Sequence, residues 1–194
     1  MKKYNSYKDT GIEWIGEIPS HWSQKRLKHI GSFSSSGIDK KVNKNELKVN
    51  IINYTDIYNN HNFYIDSNVE LMTVTSSESK INNHQVKKGD LIFTPSSETK
   101  DEIGMSAVVI DDLYNTSFSY HVLRFEFKEN LDINFRKYLC NNHFVLSYFS
   151  KNSQGTTRQT LGRNDFNNTR VLIPPPEEQT TIANYLDRKT AAID

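Results

Sequence analysis

Cysteine is nearly missing from this chain of 194 residues, where Cys140 stands alone. A disulfide framework and a cysteine-based zinc site are both excluded. An excess of one charge is missing too: 24 Lys and Arg face 23 Asp and Glu, a net charge of +1. Affinity for a polyanion must then come from local asymmetry rather than overall charge. No apolar run approaches membrane-spanning length, and the opening Met-Lys-Lys-Tyr-Asn-Ser-Tyr-Lys-Asp lacks the apolar stretch of a secretory signal. The chain reads as soluble and cytoplasmic. Tyr138, Leu139, Phe144 and Val145 around Cys140 suggest a buried, reduced thiol.

Several catalytic signatures are absent as well. There is no GxxxxGK[ST] phosphate loop and no glycine-rich dinucleotide fingerprint between a strand and a helix. A [DN]-P-P-[YF] stretch, expected of a DNA adenine methyltransferase, does not occur, nor does a G-x-S-x-G elbow. His21, His29, His61, His84, His121 and His143 are scattered without HxxxH or HExxH spacing, so no metal site is expected. Asp90 followed by Glu98-Thr99-Lys100 fits the loose spacing of metal-dependent nucleases, where two carboxylates hold Mg²⁺ and a lysine assists the attacking water. The half-motif also occurs at Glu46-Leu-Lys48, Glu78-Ser-Lys80 and Asp187-Arg-Lys189, the mark of chance in a lysine-rich chain.

What is present is a chain 36% hydrophobic and rich in Phe and Tyr, enough for one sizeable core. Charge is locally uneven. Lys25, Arg26, Lys28, Lys40, Lys41, Lys44 and Lys48 face only Asp39 and Glu46, and Lys151, Arg158, Arg163 and Arg170 face only Asp165. Gly and Pro punctuation from Gly11 to Trp22 predicts an irregular wrap that inserts Trp14, Ile18 and Trp22 into the core. Leu27–Phe33, Leu47–Tyr54, Leu91–Pro95, Ser106–Ile110 and His121–Phe127 read as strands, and Ser77–Asn83 as a short helix. Ile133–Ser150 reads as one helix capped by Asp132, with Phe135, Leu139, Phe144, Leu146 and Phe149 roughly on one side. Val171-Leu172-Ile173 and three prolines then precede a helix from about Pro175, with Glu177 and Glu178 suiting its first turn. Phe33, Phe93, Phe125 and Phe149 are assigned to the core.

Two end segments, YKDTGIEWIGEIPSHW and RVLIPPPEEQTTIANYLDRKTAAID, resemble the DNA-specificity subunits of type I restriction-modification systems. Between them, VKKGDLIFTPSSETKDEIGMSAVV is similar to that family's K-G-D-I-L strand and glycine-containing loop. GTTRQTLGRNDFNNTRVLIPPPEEQ is similar to its closing loop, strand and proline-rich approach to a helix. The resemblance implies an α+β fold: a target-recognition domain over residues 1–174 with a mixed or antiparallel β core and peripheral helices. Residues 175–194 would begin a spacer helix, which stops after about five turns.

By the same resemblance, a full subunit carries two such domains joined by paired helical spacers. Each domain reads one half of a split site in double-stranded DNA. Methyltransferase subunits, using S-adenosylmethionine, and a restriction subunit, using ATP and Mg²⁺, do the chemistry. This chain would be a non-catalytic specificity subunit or half-subunit with no cofactor of its own, and a second copy could pair through its helix. Ile182, Tyr185, Leu186 and Ile193 form the apolar stripe expected to meet a partner helix.

Groove chemistry then selects candidates, because Arg and Lys suit guanine while Asn and Gln suit adenine. Arg158, Gln159 and Arg163 lie on a loop rich in Gly and Thr. Lys40, Lys41 and Lys44 follow a Ser-Gly turn and suit phosphate. Ser96, Ser97 and Lys100 form a third loop with Glu98, whose carboxylate could accept from a cytosine amino group. Tyr120 and His121 lead a strand, with a semi-buried packing role as their alternative. Three other functions stay open: the specificity protein of a combined methyltransferase-nuclease system, a nuclease using Asp90, Glu98 and Lys100, and a structural helix donor that reads nothing.

Overall fold

A strand buried on both faces must be apolar at every position, and Leu91-Ile92-Phe93 is such a run. In a computed structural model, which describes residues 4–13 and 15–191, Leu91–Phe93 lies at the middle of a five-stranded sheet. The order is Gly31–Ser34, Leu123–Phe127, Leu91–Phe93, Ser106–Val109, Tyr64–Ile65, antiparallel except for the last pair. Alternate side chains enter different cores, as a side-chain period of two requires. Leu91, Phe93 and Val108 join Phe33, Phe125, Phe149 and Phe166 on one face. Ile92, Ala107 and Val109 join Ile52, Ile57, Ile65 and Phe118 on the other.

A second sheet of three strands, Thr116–Phe118, Leu47–Ile52 and Met72–Ser76, covers that second face. Val49 and Ile51 bury a third small core with Ile38, Val74 and Ile81. Two-stranded ladders complete the fold: Tyr7–Asp9 with Glu17–Pro19, Ser23–Arg26 with Arg170–Ile173, and Ser96–Ser97 with Gln159–Thr160. The architecture is α+β, as the sequence implies.

Two expected elements differ in form. Leu27–Ile30 is one helical turn, and only Gly31–Ser34 is strand. The chain must pass close to its neighbour at Gly31, where a Cβ would stand 2.3 Å from Phe125 Cζ and 2.5 Å from the Glu126 carbonyl oxygen. The long helix is two helices, Ile133–Cys140 and His143–Asn152. Asn141 breaks it by giving its amide to the Ser106 carbonyl at 2.7 Å and accepting from the Ser106 amide at 3.0 Å. Asn142 then caps the next helix, accepting from the Val145 amide at 3.1 Å. Side chains that mimic backbone groups compete with helix continuation in this way. Asp132 caps the first helix as expected, accepting from the Phe135 amide at 2.9 Å.

The terminal helix Pro176–Thr190 packs back on the domain. Gln179, fully buried, donates to the Pro174 carbonyl at 2.9 Å and accepts from the Asp132 amide at 2.8 Å. Asp187 receives Lys137 Nζ at 2.6 Å and Tyr138 Oη at 2.5 Å. At the helix root, Glu178 accepts from Tyr4 Oη and Trp22 Nε1, both at 2.9 Å, and meets His21 Nε2 at 2.5 Å. Trp22 is therefore half-buried at this junction, while Trp14 lies outside the described residues.

The apolar stripe of this helix is divided in its surroundings. Ile182 packs against the main core, and Leu186 lines an apolar cavity of about 450 Å³ with Trp22, Phe135 and Tyr138. Both side chains are half-buried against the helix's own domain. Tyr185 is 45% exposed, and Ile193 lies outside the described residues.

Asp90 opens the central strand, buried, accepting from the Lys87 amide at 2.8 Å with Arg124 Nε at 3.7 Å. Burial pushes its pKa up to about 6, against the Lys87 hydrogen bond and the Arg124 charge. The folded state thus holds this proton more tightly than the unfolded chain, so Asp90 lowers stability as pH rises from about 4 to about 6. Urea unfolding of Asp90→Asn should lack that slope, so the variant gains on wild type across this window and no further above it. Parallel pH profiles for the two proteins would refute the assignment.

Candidate nucleic-acid interface

The segment carrying Lys40 is held by its own polar residues. Ser36 Oγ donates to the Phe118 carbonyl and accepts from the Ile38 amide at 3.1 Å. Gly37 turns with φ +63°, a conformation that favours glycine. Ile38, buried, bridges to Ser119, and the Tyr120 amide donates to its carbonyl at 3.0 Å. Residues 38–41 are therefore laid beside Tyr120 and His121. Asp39 accepts from the Lys40 amide at 2.7 Å and pairs with Lys41 Nζ at 2.9 Å.

A second route reaches the same place. Asn53 ends the Leu47–Ile52 strand, and its side chain accepts from Ser119 Oγ at 3.0 Å. With Asp56 it forms the capping box of the helix Tyr54–Tyr58. Tyr54 and Tyr58 stack at 5.3 Å with an interplanar angle of 19°. Over the Tyr54 ring, at 5.4 Å from its centroid, lies the Arg158 guanidinium carbon. Arg158 Nε donates to Ser96 Oγ at 3.0 Å, across the Ser96–Ser97 and Gln159–Thr160 ladder.

His121 lies between the two routes. Burial lowers its pKa, and the charges of Lys40 and Arg158 lower it further against Asp39, so the imidazole is neutral at pH 7. Both cations thus act on one ring. Tyr120, 50% exposed, sits 3.8 Å from that ring between centroids. The face gathers Lys40, Lys41, Tyr120, His121, Ser96 and Arg158 from four separate segments.

Other candidates are placed differently. Gln159 is buried, its amide donating to the Gly155 carbonyl at 2.8 Å and accepting from Ser153 Oγ at 3.2 Å. Adjacent residues of an extended segment point to opposite sides, so with Arg158 outward Gln159 turns inward. Ser97 is likewise fully buried and accepts from the Thr99 amide at 3.4 Å. Neither side chain is presented to a ligand.

Arg163 commits Nη1 to the Phe33 carbonyl at 2.6 Å and Nη2 to Ser35 Oγ at 2.8 Å, bracing the root of the Lys40 segment. Lys44 and Lys100 are exposed, and neither side chain has a hydrogen bond to the cluster among the described residues. Members of the two basic runs also meet at a second place. Arg26 faces Arg170 across another ladder, and Lys25 pairs with Glu129 there at 2.6 Å.

Sequence reasoning missed Tyr54. Its signals were Asn53 with Asp56 three residues on, and two tyrosines four apart.

Asp90 and Glu98 stand at opposite ends of Leu91–Phe93. Asp90 feels Lys87, Arg124 and Glu126, whereas Glu98 acts on Tyr58. Among the described residues no group of three or more His, Cys, Asp or Glu is placed to hold a metal ion.

The family model of the type I restriction modification DNA specificity domain matches residues 19–194. The chain belongs to that family. This specificity domain is similar to the S subunit of the type I restriction-modification system from M. genitalium. That likeness has 12% identity and a TM-score of 0.52, over 86% of this chain and 38% of the other. Against the HsdS subunit from Thermoanaerobacter tengcongensis the values are 15% and 0.59, over 96% and 41%. A chain from a structure of type I R-M complex assembly and conformational transition gives 16% and 0.62, over 96% and 42%. The specificity domain spans about two fifths of the length of these solved chains, and at such identities the likeness is one of fold.

The bracing by Arg163 has a direct readout. Arg163→Ala should speed amide hydrogen exchange in residues 34–40 at least ~10-fold without unfolding the domain. Arg163→Lys should not restore protection, since an ammonium cannot reach both acceptors as a fork does. Unchanged exchange in Arg163→Ala would refute the bracing role.

Proposed function

We propose that this specificity domain reads one half of a split site in double-stranded DNA, using the face around His121. Four segments deliver three cations, two aromatic side chains and a serine to one exposed place, and the charges of Lys40 and Arg158 both reach His121. That convergence is the observation that carries the reading. Loops on a rigid scaffold commonly hold recognition residues, and the doubly buried sheet is such a scaffold.

In this reading Lys40 and Lys41 neutralise phosphate, while Arg158, Tyr120 and His121 face the groove. Family membership supports the wider role: a type I restriction-modification complex in which methyltransferase and restriction subunits perform the reactions and this chain supplies specificity alone. Residues 1–174 form the reading domain and the helix from 175 the beginning of a spacer. Its exposed side, around Tyr185, is the surface offered to methyltransferase subunits or to a second copy. Such a complex works on the chromosome, hence in the cytoplasm. No helix among the described residues is long and apolar enough to cross a membrane.

Titration of a labelled duplex with the full chain tests the reading. Lys40→Ala should weaken binding to all sequences alike and make the salt dependence shallower by about one unit of log K per log salt. In cells that also carry the methyltransferase subunits, induction of the chain should create a split methylated motif. A Lys40→Ala, Arg158→Ala double variant that binds duplex as wild type does, with the same salt slope, would refute the reading.

A further inference from the structure

The Arg158 guanidinium is held from two sides before any ligand arrives. Its Nε donates to Ser96 Oγ at 3.0 Å, and its Cζ lies over Tyr54, 5.4 Å from the ring centroid. The platform beneath is itself fixed. Tyr54 packs against the second core, stacks on Tyr58, and follows a capping residue bonded to Ser119. On the far side of Tyr58, Glu102 accepts from Thr99 Oγ1 at 2.7 Å and from the Tyr58 hydroxyl, and these bonds lower its pKa. No carboxylate among the described residues lies within 4.0 Å of Arg158 to neutralise it.

What Arg158 leaves open is specific. A guanidinium has five N–H donors in one plane, and the Nε donor is taken. Among the described residues Nη1 and Nη2 meet no acceptor, so the exposed end is a fork of two parallel donors. That fork needs two acceptors side by side. In a duplex major groove guanine offers them as O6 and N7. Adenine pairs its one acceptor with a donor, thymine has one acceptor beside a methyl group, and cytosine presents a donor.

We infer that Arg158 determines specificity for a guanine in the target half-site through its Nη1 and Nη2, and that Tyr54 and Ser96 are positioning residues acting through it. The inference rests on the DNA-reading proposal. Ser96 thereby acts by holding the arginine rather than by touching DNA. Tyr54 contributes a flat, partly buried surface that fixes the fork's plane, an arrangement in which arginine and lysine are not interchangeable.

The test uses the full chain and a library of duplexes with a randomised segment, sequenced after selection at low salt. Wild type should enrich a motif with a G·C pair at one defined position. Arg158→Ala, a change at an exposed residue, should lose the preference there by roughly tenfold to a hundredfold while keeping the rest of the motif. Arg158→Lys should recover only a minor part, since an ammonium presents no fork. Tyr54→Ala should blur that same position and leave the salt slope unaltered.

Three results would overturn the inference. One is an Arg158→Ala motif identical to wild type with uniformly weaker binding and a salt slope lower by about one, the behaviour of a phosphate contact. Another is a wild-type motif without guanine. Either leaves the DNA-reading proposal standing. The third, no enrichment of any motif by wild type, removes that proposal and this inference together.

Discussion

Burial of the central sheet on both faces is the constraint from which the rest of the structure follows. With Leu91 and Phe93 in one core and Ile92 in the other, neither face of the central strand is open to solvent. A polar group placed there would need a partner or would cost stability. Polar work is thus displaced to strand ends and to the segments that join them. One such end gathers Ser96 and Arg158, and the edge of the second sheet gathers Asn53 and Ser119. The candidate face lies where these two meet.

Segments without regular ladders still need partners for their backbone groups. Here single side chains supply them repeatedly. Ser36 stands in for a turn, Asn141 for a strand neighbour, Gln179 for a helix cap, and Arg163 for a whole crossing strand under Ser35. Each lets the chain depart from helix or strand while its backbone polar groups keep partners. Loops fixed in this manner differ from loops that are merely long, because they present charged tips in a defined arrangement.

Much of this fold was legible in the sequence. The runs Leu91–Phe93, Ser106–Val109 and Leu123–Phe127 declare themselves by β-branched and aromatic content, and Asp132, Ser77 and the prolines mark helix starts by local chemistry. What failed to show depends on distant partners. Asn141 and Asn142 look like ordinary helix residues until the Ser106 strand is set beside them. Leu27–Ile30 carries the apolar content of a strand, yet its curl is dictated by the close passage of Gly31 against Phe125.

At the candidate site, Arg158 and Gln159 are equally suited to bases by chemistry. Only the register of a two-residue ladder separates the outward one from the inward one. Tyr54 lies some forty residues from Ser96 and a hundred from Arg158, so no local pattern could join them. Of the apolar stripe on the terminal helix, periodicity gives the spacing of Ile182 and Leu186 but not the body they rest on.

Glu178 draws together a tyrosine, a histidine and a tryptophan from the opening segment at the foot of the last helix. Asp187, toward the other end, is held in turn by Lys137 and Tyr138, so the rod is pinned near both ends. Over the 15 residues of Pro176–Thr190, about 22 Å, a tilt of roughly ten degrees at the clamp would swing the tip by about 4 Å, more than a base-pair step. The bearing of the helix is therefore set by two carboxylates, Glu178 at its foot and Asp187 toward its tip, and a tilt needs the second to let go.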